Sequence, residues 1–566
     1  MDSEQLSPKV NKKKKALVLL GIQLVIAVAL LLLLRIPAVY ETALMYWQKL
    51  VAKGTGLLVI FYCVLGVLLL LDFAYLAAPF FPKLFAPVTR FFDKINSASP
   101  AAKASFWFVA SNIILKGISF ITTPIFTRLL GPEDYGITSV FITWEGVISV
   151  LATLSLSSGV YNIAMLKHKD DIDRYTSSML GLTGICLTSV YAVCIGINLL
   201  FPKIFEIPTS YLLYMAIQTF TNSVISFWLM RKRFDYDYKK VLRYTISNAI
   251  LSPLCAIVAI LLFPESKAYA KIFGAGISGI VIGLVIMVQF LIRGKKFYHK
   301  EYYCFALKFN IPLVPHYLSS ILLYSSDKLM IDAMVGAAQT GLYSVAHSIS
   351  GIISVVTQAI NQSLIPTTLK AIKSGNFGHI KKTVNGCLAL MSVVCLLVSL
   401  FAKEAVMVLA DQSFVKATYF VPPLTFSVLV AFISGIVGNV LYYHEKTYYM
   451  TIFSVVNAIL NIVANYFGIR WFGAVAASYT TLGSNLLTLC LYCWAVKREE
   501  PNFCKMFDLK WIFTVFVMYS LVTIYSIFFH DNLYARLGLL VAVLLAVVIF
   551  RKKMMQVIRS MKQKDV

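Results

Sequence analysis

Two ionisable residues interrupt long apolar runs of this chain: Lys116 within SNIILKGISFITTP and Glu145 within FITWEGVISV. An ionised side chain in hydrocarbon costs at least ~2.5–3.5 kcal/mol, so each marks a functional position or a structural ion pair. Lys116 shares a helix face with Asn112, Ser119 and Thr123, because spacings of four, three and four keep all four residues on one stripe. Glu145 lies in a similar stripe with Thr138 and Ser149. Lys116 falls ~18 Å from the inner end of its run and Glu145 ~14 Å from the outer end of the next. In a ~30 Å hydrocarbon layer those depths nearly coincide, so a Lys116–Glu145 pair near the midplane is expected. Lys116 then offers an anion site. Glu145 either holds it in place, exchanges a proton, or serves as a purely structural partner.

A second polar set occupies FNIPLVPHYLSSILLYSSDKLM, residues 309–330. Pro312 and Pro315 must interrupt a helical ladder there. His316 follows, and Asp327–Lys328 are expected at the outer end. The next run carries His347, Gly351, Ser354, Gln358 and Gln362 at helical spacing. His316 and His347 are candidates for proton transfer or for hydrogen-bonded packing. No group of residues has metal-ligand spacing. Cys490 and Cys493 spell CxxC inside an apolar run, without the second pair a metal site needs. The outer loops are short and hold no acid pair or His/Arg cluster, which argues against an enzyme.

The elements that position these residues are membrane helices. Of the 566 residues 59% are hydrophobic and only 14% charged, and the apolar runs lack the every-second-residue alternation of outer-membrane strands. Runs at 16–34 and 56–78 are followed by a basic, proline-punctuated connector. Further spans are expected at about 104–127, 136–161, 177–200, 211–230, 242–263, 269–292, 303–326, 341–362, 384–402, 417–441, 449–469, 472–496, 509–529 and 532–550. That makes about sixteen. Most of the 51 Lys and Arg fall on one side of this alternation, which the positive-inside rule makes cytoplasmic together with both termini. The same distribution explains the net charge of +25 as orientation and attraction to anionic membrane lipids, and excludes a nucleic-acid partner.

Residues 128–140, RLLGPEDYGITSV, recur as AMVGAAQTGLYSV at 333–345. A shift of 205 aligns Gly131 with Gly336, Gly136 with Gly341, Ser139–Val140 with Ser344–Val345, Gly146 with Gly351, and Ile148–Val150 with Ile353–Val355. Each copy reads as an outer helical hairpin in which the first glycine turns the chain and the second starts the return span. Pro132 suits a first helical position, and Glu133–Asp134 suit the positive end of a helix dipole. The offset corresponds to six spans, so the halves are parallel repeats about an axis along the membrane normal. The expected division is an N-terminal pair of spans with connector (1–100), a six-helix lobe (101–300), a second lobe (301–500), and two C-terminal spans with a basic tail (501–566).

RLLGPEDYG and the pair IPLVPHYLSS…SSDKLMI resemble the polysaccharide-synthesis flippases, the O-antigen and capsule repeat-unit translocases of the multidrug/oligosaccharidyl-lipid/polysaccharide (MOP) exporter superfamily. The resemblance covers roughly residues 100–500. It implies two MATE-like six-helix lobes in the bacterial inner membrane, and a polyprenyl-diphosphate-linked oligosaccharide moved from the cytoplasmic to the outer leaflet by alternating access. It also implies a polymerase or export partner and no cofactor beyond a coupling H+ or Na+. Family members carry Arg where this chain has Lys328, which keeps the charge and loses the bidentate fork. For such cargo Lys116 is expected to meet the diphosphate and Arg128 and Lys328 the exit path. Asn112, Ser119, His316 and Gln358 are expected along the substrate route, with Glu145, Asp327 and His347 as coupling or structural partners. A peptidoglycan-precursor flippase and an ion-coupled drug exporter are the alternatives within the superfamily.

Overall fold

The computed structural model describes residues 99–541, apart from 203, 206, 447, 530, 531, 533 and 540. The expected spans at 16–34 and 56–78, most of that at 532–550 and the basic tail lie outside the described residues. Every regular element among those described is helical. The first is α1 (Pro100–Leu129), followed by α2 (Pro132–Thr153), α3 (Gly159–Lys167), α4 (Ile172–Leu200), α5 (Thr209–Phe234), α6 (Tyr238–Leu262) and α7 (Lys267–Gly294). A short α8 (Lys300–Asn310) leads into α9 (Val314–Val335), α10 (Ala337–Lys373), α11 (Phe377–Leu400) and α12 (Ala402–Leu409). The remaining helices are α13 (Val421–Tyr443), α14 (Tyr448–Phe472), α15 (Ala476–Glu499), α16 (Phe503–Met506) and α17 (Leu509–Phe528). Eleven helical stretches among the described residues are long and apolar enough to cross a membrane. α9 and α15, of 22 and 24 residues, are long enough but fall outside those eleven. Their serines and threonines, with Asp327 on α9, dilute the apolar run.

The chain forms two compact units. One comprises residues up to Arg128 together with Asp235–Thr245, and the other Leu129–Phe234 with everything from Ile246 onward. In the described part of the first, Trp107 of α1 stacks on Tyr238 at the start of α6, with centroids 6.2 Å apart and rings 5° from parallel. The second unit is organised around α13, which is buried on nearly all sides from Val421 to Leu441. A helix apolar all round belongs in a core. Its Leu429, Ile433, Ile436 and Val440 are fully buried and share one cluster with Leu388 and Cys395 of α11 and Val496 of α15.

Three local expectations are corrected. Helix α2 begins at Pro132 and α10 at Ala337, directly after Gly131 and Gly336, so the second glycine of each hairpin does not start the return span. Gly136 and Gly341 lie one turn inside their helices, where α2 and α10 cross. A Cβ on Gly136 would fall 1.8 Å from the Ala337 carbonyl oxygen, and one on Gly341 1.9 Å from that of Pro132. Only glycine lets two backbones approach so closely. The span expected at 136–161 ends instead at Thr153, where Leu154 and Ser155 take left-handed φ of 47° and 49° and α3 starts anew at Gly159. The span expected at 303–326 becomes two helices. α8 is a separate short helix, Pro312 lies in a 3-10 turn, and Pro315 sits in the first turn of α9, where a missing N–H costs nothing. The membrane-length helix therefore runs to Val335. Asp327 lies eight residues from its end, ~12 Å inside, and not at the mouth.

Candidate functional site

Asp327 is the best-defined polar centre of the second unit. Its side chain is 4% exposed. Tyr343 Oη and Thr481 Oγ1 donate to one carboxylate oxygen at 2.5 and 2.8 Å, and Asn465 Nδ2 to the other at 2.6 Å. Four helices converge there: α9 brings the acid, α10 the tyrosine, α14 the asparagine and α15 the threonine. Hydrogen bonds to a charged acceptor are worth ~1.5–3 kcal/mol each, and three of them offset much of the cost of burying a carboxylate. The network extends through amides. Asn461 Nδ2 donates to Thr481 Oγ1 at 3.2 Å, Asn457 Nδ2 to Asn485 Oδ1 at 3.3 Å, and Asn485 Nδ2 to Ser427 Oγ at 2.7 Å.

Asp327 forms one end of a cavity of about 310 Å3 whose wall also includes His347, Ser354, Gln358, Asn361 and Asn485. His347 stacks beside Tyr343 with centroids 6.0 Å apart, and Gln358 Nε2 donates to Ser354 Oγ at 3.2 Å. The structure thus unites five of the residues singled out in the sequence: Asp327, His347, Gly351, Ser354 and Gln358. Irregular or polar surface within a membrane body is tolerated where it lines such a cavity.

A second cavity, of about 260 Å3, is lined by α2, α5, α6 and α7, with Glu145, Gln218, Asn222 and Lys271 among its residues. The two oxygens of Glu145 accept from Gln218 Nε2 at 3.3 Å and Asn222 Nδ2 at 3.2 Å. These partners come from its own unit and supply no positive charge. Lys116 stands on α1 in the first unit, exposed on the same helix face as Asn112 and Ser119. Arg128 Nη1 donates to the Pro124 carbonyl at the end of α1. His316 is exposed in the first turn of α9, eleven residues or ~17 Å along the helix from Asp327. Lys328 follows Asp327 on α9, and its carbonyl accepts from Thr340 Oγ1 at 3.5 Å.

Several site residues escaped the sequence reading although a signal existed. Asn457, Asn461 and Asn465 recur every fourth residue within an apolar run, as do Gln218 and Asn222, and Lys271 lies close inside the start of its span. Uncharged amides at helical spacing are as expensive to bury unpaired as hydroxyls, and they identify the cavity walls. Among the described residues no group of His, Cys, Asp and Glu could hold a metal ion.

The described helices have the fold of solved members of the MOP superfamily. It is similar to the solved structure of the lipid II flippase MurJ in an inward closed conformation, with a TM-score of 0.55 and 14% identity over 79% of this chain and 99% of that one. It is also similar to an inward-facing multidrug resistance MATE family transporter of the MOP superfamily, with a TM-score of 0.54 and 13% identity over 69% of this chain and 95% of the other. Residues 101–371 match the family described as "Polysaccharide biosynthesis protein", so the resemblance read from RLLGPEDYG and SSDKLMI is borne out. A curated relative, protein 1 of the Lsg locus of Haemophilus influenzae, is 21% identical over 59% of this chain and 82% of its own length.

Proposed function

We propose that the chain flips a polyprenyl-diphosphate-linked oligosaccharide repeat unit across the bacterial inner membrane, cytoplasmic leaflet to outer leaflet, by alternating access and without catalysing a covalent step. The observation that carries this reading is the match of residues 101–371 to the polysaccharide biosynthesis family. The cavity beside Asp327 supports it. Among apolar residues such as Leu424 and Phe432, its wall carries hydroxyls, amides and an imidazole, groups that donate and accept toward sugar hydroxyls and would be costly to bury facing lipid. The diphosphate brings negative charge that cannot cross hydrocarbon unpaired. Lys116 is the cation assigned to it, with Arg128 and Lys328 serving the exit path and Asn112, Ser119 and His316 the polar route. Asp327, held by three donors from three other helices, is the group assigned to coupling, with H+ or Na+ as the ion. Binding there changes the charge at a junction of four helices, which biases their packing.

The experiment is deletion of the gene in its own host, followed by measurement of surface glycan and of lipid-linked repeat units in the inner leaflet. Loss of glycan with accumulation of the lipid-linked unit is expected. A block in cell-wall synthesis with glycan intact would assign the chain to peptidoglycan-precursor flipping instead.

A further inference from the structure

The cavity floored by Glu145 has no part in the reading above. Its two charges lie at opposite ends. Lys271 Nζ donates to Thr138 Oγ1 at 3.3 Å and sits 4.5 Å from the centroid of the Tyr135 ring. Glu145 is seven residues beyond Thr138 on the same helix, ~10 Å further along the axis. Beside Glu145 α5 contributes Gln218 and Asn222, and α6 adds Asn248 to the lining, which accepts from Ser278 Oγ at 3.0 Å. Gln218 Oε1 is buried and accepts no hydrogen bond from any described residue. A buried carbonyl oxygen so placed can accept from a ligand hydroxyl or water. Helix α7 lines the space with Lys271, Ile272, Ala275, Gly276 and Gly279, and only at Gly279 does its backbone face open room, where a Cβ would come no closer than 3.7 Å to Asn222 Oδ1.

Volume decides what class of ligand this space suits. An ion or a proton relay needs room for one or two waters, at ~30 Å3 each. A cavity of about 260 Å3 is several times larger. Its polar groups are divided, with a carboxylate and two amides at Glu145 and an ammonium at Thr138, ~10 Å away along α2. A planar carboxylate accepts from adjacent hydroxyls of a ring, and a carboxamide both accepts from and donates to them. The ammonium suits a carbonyl or carboxylate substituent at the far side.

We propose that this cavity is a second glycan subsite, which receives one sugar ring of the cargo while the rest of the repeat unit lies outside it. The proposal rests on the flippase reading and is tested separately from it. A sugar needs the volume, whereas an ion does not. Gly279→Leu fills the space without changing a charge, and a Cβ at that position meets only Asn222 Oδ1, at 3.7 Å. Gly196→Leu on α4, where nothing lies within 4 Å, controls for adding a leucine to a membrane helix.

In cells the expected result is at least a tenfold loss of glycan export for Gly279→Leu at an unchanged amount of protein, with Gly196→Leu unaffected. Export by Gly279→Leu within twofold of the unaltered chain overturns the subsite and leaves the flippase reading standing. Unchanged flipping when the whole gene is deleted removes that reading itself. A second measurement covers the case in which the leucine variant does not accumulate. Gly279→Cys in proteoliposomes is labelled with a small water-soluble maleimide, and modification at that position is read by peptide mass spectrometry. Lipid-linked oligosaccharide extracted from the same cells is expected to slow labelling at least threefold, and polyprenyl diphosphate lacking sugar is expected to have no effect. Equal slowing by both, or by neither, overturns the proposal.

Discussion

Gly136 of α2 and Gly341 of α10 meet backbone to backbone, and the contact is reciprocal under the 205-residue repeat. A Cβ on Gly136 would strike the carbonyl oxygen of Ala337, and one on Gly341 that of Pro132, and 337 − 205 = 132 just as 341 − 205 = 136. When residue i meets j and the repeat of j meets the repeat of i, the two partners are related by a local two-fold axis. Both copies of the duplicated sequence thus build one crossing, at the ends of α2 and α10 that follow the hairpin turns.

That crossing makes a sharp prediction. Gly136→Ala places a methyl carbon 1.8 Å from a backbone oxygen that cannot rotate away, so α2 and α10 must separate. Should transport move α2 against α10, a barrier change of ~1.4 kcal/mol is already tenfold in rate. Gly136→Ala and Gly341→Ala are each expected to lower surface glycan at least tenfold at unchanged protein amount. Gly146→Ala, in the same repeat, would touch only Ile321 Cγ2 at 3.8 Å and is expected to be neutral. Glycan display by Gly136→Ala equal to that of Gly146→Ala would show that the approach is not needed for transport.

Lys116 is tested by charge. Lys116→Ala is expected to abolish glycan display, and Lys116→Arg to retain part of it, because a diphosphate needs a cation but tolerates a change in donor geometry. The measurement is surface glycan normalised to membrane protein. Normal display in Lys116→Ala would discard the anion site.

Asp327 tests coupling. Asp327→Asn keeps the shape and removes the charge, but a carboxamide cannot accept from Tyr343, Thr481 and Asn465 as a carboxylate does. Flipping in vesicles is expected to fall at least tenfold and to lose its response to an imposed H+ or Na+ gradient. A variant that flips slowly while keeping the full gradient response would make Asp327 a packing residue.

Much of this was legible in the sequence because membrane helices are written in long apolar runs, and the duplication was written in its glycines. The location of Asp327 was not. Reading 303–326 as one span put it at the mouth, since proline spacing alone does not say whether a helix breaks or merely begins; the structure starts α9 at Val314 and carries Asp327 ~12 Å inside. The partners of Glu145 were hidden for a different reason. Charge complementarity suggested Lys116, whereas Gln218 and Asn222 satisfy the carboxylate without any charge to betray them. The second role of glycine was hidden too, because a turn and a close helix crossing ask for the same residue.

The pair Glu404–Arg536 gives a stability prediction with a definite asymmetry. Arg536 is 3% exposed, and its two terminal nitrogens donate to the two carboxylate oxygens of Glu404 at 2.5 and 2.6 Å. The Glu404 side chain is 42% exposed. Removing the acid leaves a buried guanidinium unpaired, which costs ~3–5 kcal/mol, whereas removing the arginine leaves a carboxylate that water can reach. Glu404→Ala is therefore expected to lower the melting temperature of the detergent-solubilised protein by more than Arg536→Met. The pH dependence follows from the carboxyl. Partial burial opposes its charge, but hydrogen bonds from Arg536 outweigh this and hold its pKa below the ordinary carboxylate value. A depressed pKa contributes stability that is present above the unfolded-state value and is lost as pH falls through the folded-state value. The gap in melting temperature between the unaltered chain and Arg536→Met should thus be full at pH 7 and shrink as the pH falls below about 4.5, the ordinary value for a glutamate. A gap that stays constant down to the lowest pH at which the protein remains folded would show that the pair adds packing and no electrostatic stability.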